Sequence, residues 1–334
     1  RISVFDSCST AAEETRCEVA PTRTPRSWAS YTATRSNPGT FPLRCPPSPA
    51  SYATCAPSTK LLASPGRKRM GTTALLTGAA GKVGSYVIGA LARRGMEVVA
   101  TDLVPSGIPD DVRFEPCDLT DSQAVTRLVA RTKPDVVVHC AAVIAPIAYA
   151  EPDLAEAVNL RGTEYLIEAT KRHAPDAFFV FTSSYTIFGP CSPSDPVRRS
   201  TDPCWPEDNY GLHKLTVEGW LRHSGLRQCS LRLGGVMDLR HLMPKHPAFR
   251  PFVFMIPLDQ PEHGVDVRDA ARAIACAASQ QPDGHVFLIG GDDSWKVSAR
   301  QLRTETFDAL GMRMPPEKAF RPSPDPAVKD NWYY

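Results

Sequence analysis

The sequence lacks a hydrophobic run long enough to cross a membrane. The longest stretch that is apolar and free of formal charge, residues 136–150, contains His139 and Pro146, and a spanning helix needs about 20 predominantly apolar residues. The chain has 334 residues, 42% of them hydrophobic and 22% charged, which is enough to bury a full core. We therefore expect a soluble globular protein with no membrane partner.

Basic surface and paired cysteines are also missing from most of the chain. Residues 1–70 hold ten lysines and arginines against four acidic residues, and the remainder holds 28 against 32. A nucleic-acid-binding domain needs a basic face in its folded part, so no nucleic-acid partner is expected. The ten cysteines include no C-x-x-C pair, which favours reduced thiols and a cytoplasmic location. The histidines His241, His246 and His263 show no ligand spacing, so no metal is expected.

The first 69 residues differ in composition from the rest. They carry nine prolines, and no acidic side chain lies between Val19 and Arg69. Such a segment cannot bury enough apolar surface to offset the entropy lost on ordering, so we expect a disordered leader. Its acid-poor, Ser- and Arg-rich composition is typical of an organelle transit peptide. The alternative, which we favour, is that the protein starts at Met70 and that residues 1–69 are a spurious extension.

From Thr72 onward, short apolar runs alternate with helical patterns, as in a parallel sheet with crossover helices. This predicts an α/β fold with a Rossmann-like, doubly wound parallel sheet over 70–233 and a small substrate-covering subdomain over 234–334. The predicted strands are 73–77, 97–101, 112–115, 135–139, 177–182 and 228–233, and the predicted helices are 81–95, 121–132, 152–173 and 209–224. The last third adds a proline-rich loop over 243–261, a helix near 266–279, a strand at 285–289 and a helix near 297–311.

Three glycines follow the first predicted strand with the spacing G-x-x-G-x-x-G. They are Gly78, Gly81 and Gly84, with Lys82 and Val83 between the last two. At a strand-to-helix turn, backbone N–H groups and the helix dipole can bind a pyrophosphate. A Cβ would block both the tight turn and the close approach of the ligand. The loop therefore predicts a dinucleotide site.

The second predicted strand ends at Asp102, 24 residues after Gly78. A carboxylate at this place accepts hydrogen bonds from both ribose hydroxyls and would repel a 2′-phosphate, which favours NAD over NADP. Lys82 would offset part of that repulsion, so NADP stays open as the less favoured cofactor.

A serine, a tyrosine and a lysine supply candidate acid/base chemistry. The fifth predicted strand runs into Ser184, and 26 residues later comes Tyr210, with Lys214 four residues further on the same helix face. A free tyrosine has a pKa of about 10, but a neighbouring ammonium and a positively charged nicotinamide ring favour the phenolate. Tyr210 can then exchange a proton with a substrate hydroxyl. The turn at Ser184 resembles a catalytic serine turn, which implies that Ser184 hydrogen-bonds the oxygen of that hydroxyl.

These motifs, in this order, resemble the extended short-chain dehydrogenase/reductase family over nearly all of residues 72–311. The resemblance implies an enzyme in which Ser184, Tyr210 and Lys214 are catalytic, with Tyr210 and Lys214 also against the cofactor. It implies that Asn159, in the N-x-x-G-T run 159–163, holds the active site and contacts the cofactor. The other cofactor contacts that it implies are Asp118 and Leu119 near the adenine and Cys140, Ala141 and Ala142 in the turn after the fourth strand.

Two features narrow the reaction that the resemblance implies. Sugar-nucleotide 4,6-dehydratases carry Asp-Glu where this chain has Tyr185 and Thr186, and UDP-glucose 4-epimerases carry a diphosphate-binding asparagine where it has Gly234-Gly235. Dehydration is therefore disfavoured. We expect an NAD-dependent oxidoreductase acting on a secondary alcohol or sugar-like hydroxyl. A sugar or nucleotide-sugar epimerase is the alternative, and a non-catalytic dinucleotide sensor is less favoured.

The expected partner is a small molecule. Five basic loop residues would attract an anionic substrate, unless they are solvated surface charges: Arg198, Arg199, Lys245, His246 and Arg250. The family often dimerises through the helices at 152–173 and 209–224, so the resemblance also implies a homodimer.

Overall fold

The computed structural model describes residues 3–5, 71–190, 195–238 and 247–322. Lys245 and His246 lie outside the described residues, and so does the side chain of Arg250. The prediction that these groups attract substrate therefore stays a prediction.

Eleven strands form two sheets in this part of the chain. They are β1 (Ser3–Phe5), β2 (Thr72–Thr77), β3 (Met96–Thr101), β4 (Arg113–Phe114), β5 (Val136–His139), β6 (Phe178–Ser184), β7 (Gln228–Leu233), β8 (Gly235–Met237), β9 (Pro261–Asp266), β10 (His285–Gly290) and β11 (Lys296–Ser298). The central sheet has the order β4-β3-β2-β5-β6-β7-β10-β1, and the small sheet has the order β8-β9-β11.

The central sheet is parallel from β4 to β10, and the strand order reverses between β2 and β5. This confirms the predicted α/β class and the doubly wound topology. In such sheets a ligand binds at the carboxyl ends of the strands, where the order reverses. Only β1, from the segment that the composition placed outside the fold, is antiparallel, against β10. The rest of residues 1–69 lies outside the described residues.

The helices of the described residues cover both faces of the central sheet. They are α1 (Gly84–Ala92), α2 (Ser122–Thr132), α3 (Ile147–Ala150), α4 (Pro152–Glu156), α5 (Thr163–His173), α6 (Asn209–His223), α7 (Phe249–Met255), α8 (Val267–Gln280) and α9 (Ala299–Ala309). None of them is both long and apolar enough to cross a bilayer.

Alternating residues of the buried strands supply two separate cores. Leu76 and Val138 pack with α1 and α8 on one face, while Leu75, Val137 and Phe179 pack with α2, α5 and α6 on the other. Successive side chains of a strand point to opposite faces. Strands that are buried on both faces therefore read as unbroken apolar runs, which is why the sequence predicts them.

Two predicted elements differ from those in the structure, and the small sheet was not predicted. The helix expected over 152–173 is divided into α4, a π-helical stretch Ala157–Gly162 and α5. Such stretches are frequent at functional sites, and this one contains Asn159. The loop expected over 243–261 contains α7, and the small sheet was not predicted because β9 begins with Pro261 and contains Gly264.

Candidate active site

The glycine loop lies between β2 and α1, at the carboxyl edge of the sheet. Gly78 has a φ of +69°, and a Cβ there would lie 2.6 Å from the backbone nitrogen of Ala141. A Cβ on Gly84 would overlap the carbonyl oxygen of Gly78. Gly81 is different, because it is exposed and its Cβ would meet only that oxygen, at 3.1 Å. The protein's own packing therefore requires Gly78 and Gly84, whereas Gly81 leaves open space for a ligand.

Asp102 lies beside this loop, as the sequence predicts. Its carboxylate accepts hydrogen bonds from the backbone N–H groups of Ala80, at 3.0 Å, and Leu103, at 2.8 Å. The amino group of Lys82 donates to the carbonyl oxygen of Val236 at 3.4 Å, which joins the loop to β8. A carboxylate fixed next to a glycine loop fits the ribose of a dinucleotide.

His139 joins three parts of the site, a role that sequence reasoning missed. Its Nδ1 lies 2.7 Å from Thr77 Oγ1 and its Nε2 lies 2.8 Å from Thr163 Oγ1. Thr163 Oγ1 donates its own proton to the carbonyl oxygen of Asn159, so it accepts from His139 Nε2–H and the Thr77 hydroxyl donates to Nδ1. Burial, with a smaller contribution from the charge of Lys214, lowers the pKa of His139 to about 3. The imidazole is therefore neutral and ties the ends of β2 and β5 to the start of α5.

Asn159 holds the loop that follows β5. Its Oδ1 accepts from the backbone N–H of Val143, and its Nδ2 donates to the carbonyl oxygen of Val143, both at 2.8 Å. Its Nδ2 is also 3.5 Å from Nδ1 of His213, one residue before Lys214. The predicted supporting role thus has a geometric basis in a paired backbone clamp on Val143.

The segment predicted to meet the adenine packs against the start of α5. A Cβ on Gly162 would lie 2.9 Å from Cβ of Leu119, so the glycine of N-x-x-G-T permits this contact. Asp118 is exposed and accepts hydrogen bonds from the backbone N–H and the hydroxyl of Thr120. The Asp118-Leu119 segment and the N-x-x-G-T run, which are separate in the sequence, are therefore neighbours in space.

Ser184 and Tyr210 meet at the end of β6. Their hydroxyl groups share a hydrogen bond, and Ser184 Oγ also accepts from the backbone N–H of Thr186 at 3.2 Å. Asp208 caps α6 by accepting from the N–H of Gly211 at 2.8 Å, which fixes the first turn that carries Tyr210. Burial raises the pKa of Tyr210, while the hydrogen bond with Ser184 lowers it. The charge of Asp208 also raises this pKa, and burial is the largest cause, so in the protein alone the pKa is not lowered as the sequence predicts.

Lys214 is buried close to Tyr210. Its Nζ donates to the carbonyl oxygen of Thr182 at 2.8 Å and lies 5.6 Å from the centre of the Tyr210 ring. Burial lowers the pKa of Lys214 to about 8, an effect that the nearby Cys140 and Glu218 side chains partly offset. At neutral pH the side chain is still mainly protonated, so it presents an ammonium group to the site.

A buried ion pair holds α6 against β7. Arg232 Nε and Nη2 reach the two carboxylate oxygens of Glu218 at 3.0 and 2.8 Å, and Nη1 donates to the carbonyl oxygen of Ser200.

Arg198, one of the basic residues predicted to attract a substrate, lies 3.7 Å from Asp195 and 5.9 Å from the centre of the Phe188 ring. The charge of Arg198 is thus partly compensated within the protein.

The carboxyl ends of β2, β5 and β6 therefore bring together most of the predicted residues. The glycine loop and Asp102 lie on one side of Ser184. Tyr210 and Lys214 lie at the end of β6, the strand that Ser184 ends. An open glycine edge, a fixed carboxylate and a Ser-Tyr-Lys group define the class of dinucleotide-binding short-chain dehydrogenases/reductases. No group of three or more His, Cys, Asp and Glu side chains within the described residues is arranged to hold a metal ion.

Within this class, the chain belongs to the NAD dependent epimerase/dehydratase family, whose family model matches residues 74–240, half of the chain. Since the family is NAD dependent, NAD is the cofactor of this chain. The glycine loop with Asp102 fits that molecule. The individual residue roles remain predictions.

Curated relatives match only part of the chain. Methionine adenosyltransferase 2 subunit beta of Xenopus tropicalis is 32% identical over 164 residues, which are 49% of this chain and 46% of that protein. UDP-glucose 4-epimerase 2 of Oryza sativa subsp. japonica is 31% identical over 161 residues, which are 44% of this chain and 39% of that protein. The chain thus spans less than half the length of these two relatives.

A solved structure covers more of the chain. The UDP-glucose 4-epimerase of Thermus thermophilus, in complex with NAD, superposes with a TM-score of 0.63 and 26% identity over 72% of this chain and 84% of that one. The WbmH enzyme of Bordetella bronchiseptica, with a TM-score of 0.62 and 24% identity over 76% of this chain and 86% of that one, shows the same fold.

Proposed function

We propose that the protein is an NAD-dependent oxidoreductase that interconverts a secondary alcohol and a ketone on a sugar-like substrate, with Tyr210 as the acid/base. The observation that carries this proposal is the hydrogen bond between Ser184 and Tyr210, together with the buried ammonium of Lys214 at 5.6 Å from the centre of the Tyr210 ring. The glycine loop lies at the same edge of the sheet, so this group is adjacent to the place where a dinucleotide would bind.

Each of the three side chains has a separate task in this reaction. When bound, NAD supplies the acceptor or donor of a hydride and, in its oxidised form, a positive charge. Tyr210 takes the hydroxyl proton of the alcohol, and Ser184 hydrogen-bonds the oxygen on which carbonyl character develops. Lys214 is anchored through the carbonyl oxygen of Thr182, which uses one of its three N–H groups. The other two would serve the ribose hydroxyls and orient Tyr210.

The proton state of Tyr210 couples its chemistry to cofactor binding. Burial keeps its phenol protonated in the protein alone. A cation placed nearby stabilises the phenolate, and the oxidised nicotinamide ring is such a cation. We therefore expect the pKa of Tyr210 to fall on binding of oxidised NAD, while the reduced, neutral form leaves a phenol that can return a proton to a ketone.

Epimerisation of a sugar or nucleotide sugar is the second candidate, and the similarity to UDP-glucose 4-epimerases favours it. The same three residues would serve, but the ketone would stay bound and be reduced from its other face. Gly234 and Gly235, at the place where UDP-glucose 4-epimerases carry a diphosphate-binding asparagine, count against a nucleotide sugar.

One assay separates these candidates. The full chain with NAD is incubated with free sugars, uronates and UDP-sugars, and both NADH absorbance and product stereochemistry are followed. Net NADH supports the oxidoreductase, and an inverted product without net NADH supports the epimerase. Tight NAD binding with neither outcome would replace both by a dinucleotide sensor.

A further inference from the structure

Tyr185, at the carboxyl end of β6, and His263, on β9, are aromatic and polar side chains that the proposed chemistry does not use. We propose that Tyr185 and His263 form a substrate-binding wall that recognises a hydroxyl group of a carbohydrate ring. The inference deepens the proposed function and rests on it, because it names the residues that select the substrate of the same site.

Tyr185 follows Ser184 directly and extends across two neighbouring strand ends. A Cβ on Gly234 would lie 3.3 Å from its Cε2, and a Cβ on Gly290 would lie 3.0 Å from its hydroxyl oxygen. Gly234 follows β7 and Gly290 ends β10, the next two strands beyond β6. The glycine loop lies on the opposite side of β6, after β2. The Tyr185 ring therefore lies on the side of Ser184 that faces away from the cofactor loop.

His263 on β9 completes the wall. Its ring centre lies 5.8 Å from that of Tyr185, and its Nε2 lies 3.0 Å from the carbonyl oxygen of Gly291. A Cβ on Gly290 would lie 2.5 Å from Cε1 of His263, and one on Gly234 would lie 2.6 Å from its backbone oxygen. Both glycines are thus required by the close approach of His263 and Tyr185. Since Nε2 donates to the carbonyl oxygen of Gly291, Nδ1 is the ring nitrogen that remains to accept a hydrogen bond.

In the part of the chain that the structure describes, the hydroxyl groups of the two residues after Ser184 have no hydrogen-bond partner. The Tyr185 side chain is half-buried, and burial raises its pKa. Thr186 Oγ1 is fully buried. Buried polar groups are normally hydrogen-bonded. A bound ligand would supply the missing partner.

The chemistry of the wall selects the ligand class. A phenol that can donate and an imidazole nitrogen that can accept match a hydroxyl group, which does both. The two ring faces suit the C–H surface of a sugar ring. Neither group carries the fixed positive charge that favours a diphosphate. The wall therefore recognises the carbohydrate ring that carries the reacting hydroxyl.

Binding measurements on the full chain with saturating NAD test this wall. The probes are galactose, glucuronate and UDP-glucose, titrated by calorimetry into wild type, Tyr185→Phe and His263→Gln. Tyr165→Phe is the matched control, because Tyr165 lies on α5 in a groove between α2 and α5. At least one probe should bind wild type, and Tyr185→Phe and His263→Gln should each weaken it roughly fivefold, the effect of one lost hydrogen bond. Affinity for NAD should stay within about twofold in all variants.

Three results would overturn the wall: no probe binds wild type, Tyr185→Phe binds the probe as tightly as wild type, or NAD affinity falls as much as carbohydrate affinity. The last result would assign Tyr185 to the scaffold. Tyr185-dependent carbohydrate binding without NADH or inverted product would instead support the wall and contradict the oxidoreductase.

Discussion

The two sides of Ser184 are built in different ways. On the cofactor side, the groups come from short continuous runs, such as the glycine loop, in which backbone atoms are the expected ligands. On the other side, Tyr185, Gly234 and Gly290 lie at three strand ends of the central sheet, and His263 lies within β9 of the small sheet. A shared cofactor can be bound by local backbone geometry, whereas a particular substrate must be selected by side chains that only the fold brings together.

The largest expected effect is the loss of the ammonium group between the two sides. Lys214→Met should lower kcat/KM by about 10²–10⁴-fold, the usual contribution of acid/base assistance. Steady-state kinetics with the best substrate of the sugar panel measures it. Activity within a few-fold of wild type would remove Lys214 from the mechanism.

The same variant has a stability signature. The pKa of Lys214 is about 8 in the fold against 10.5 for free lysine, so the unfolded chain binds more protons between these values and the wild type gains stability as pH rises through them. Urea unfolding should therefore shift in favour of wild type relative to Lys214→Met over this window. A constant difference would contradict burial of the charge.

Substitution of the loop glycines separates packing from ligand binding on the cofactor side. Gly84→Ala should destabilise the fold by about 1–3 kcal/mol, because its Cβ overlaps the Gly78 carbonyl oxygen. Gly81→Ala should unfold like wild type but bind NAD less tightly. Gly219→Ala in α6, with no atom within 4 Å of the added Cβ, is the control and should be neutral or slightly stabilising. Equal behaviour of Gly81→Ala and Gly84→Ala would erase the distinction.

Cofactor choice tests whether the cofactor side acts through Asp102. Asp102→Asn removes the charge that repels a 2′-phosphate, so the ratio of NAD to NADP affinity should fall by about tenfold. Fluorescence titration of both cofactors measures the ratio. An unchanged ratio would mean that the carboxylate only fixes the loop through Ala80.

The last expected effect, which is small at neutral pH, concerns the scaffold behind the cofactor side. The pKa of His139 is about 3 in the fold against 6.5 for a free histidine, so the unfolded chain binds the extra proton and wild type loses stability as pH falls from 6.5 towards 3. The loss is at most about 1.4 kcal/mol per pH unit. His139→Gln should lack this component in urea unfolding at several pH values. Parallel curves for the two proteins would show that His139 does not titrate as a buried neutral group.

The cofactor side could be predicted from the sequence, because Gly78, Gly84 and Asp102 act through local geometry that their spacing reveals. The buried strands were equally readable from their apolar runs. The π-helical stretch around Asn159 was not, because an amphipathic pattern continues through it. His139 was read only as a strand end, since its partners Thr77 and Thr163 are distant in sequence. The two residues of the wall, Tyr185 and His263, have no characteristic spacing in the sequence, because the order of β6, β7 and β10 brings them together.

The central claim is that Tyr210 moves the proton while hydrogen passes between substrate and NAD. A substrate carrying deuterium on the carbinol carbon should transfer the label to NAD in wild type. In Tyr210→Phe, transfer should slow by about 10²–10⁴-fold with unchanged NAD affinity. Transfer at the wild-type rate in Tyr210→Phe would contradict the account.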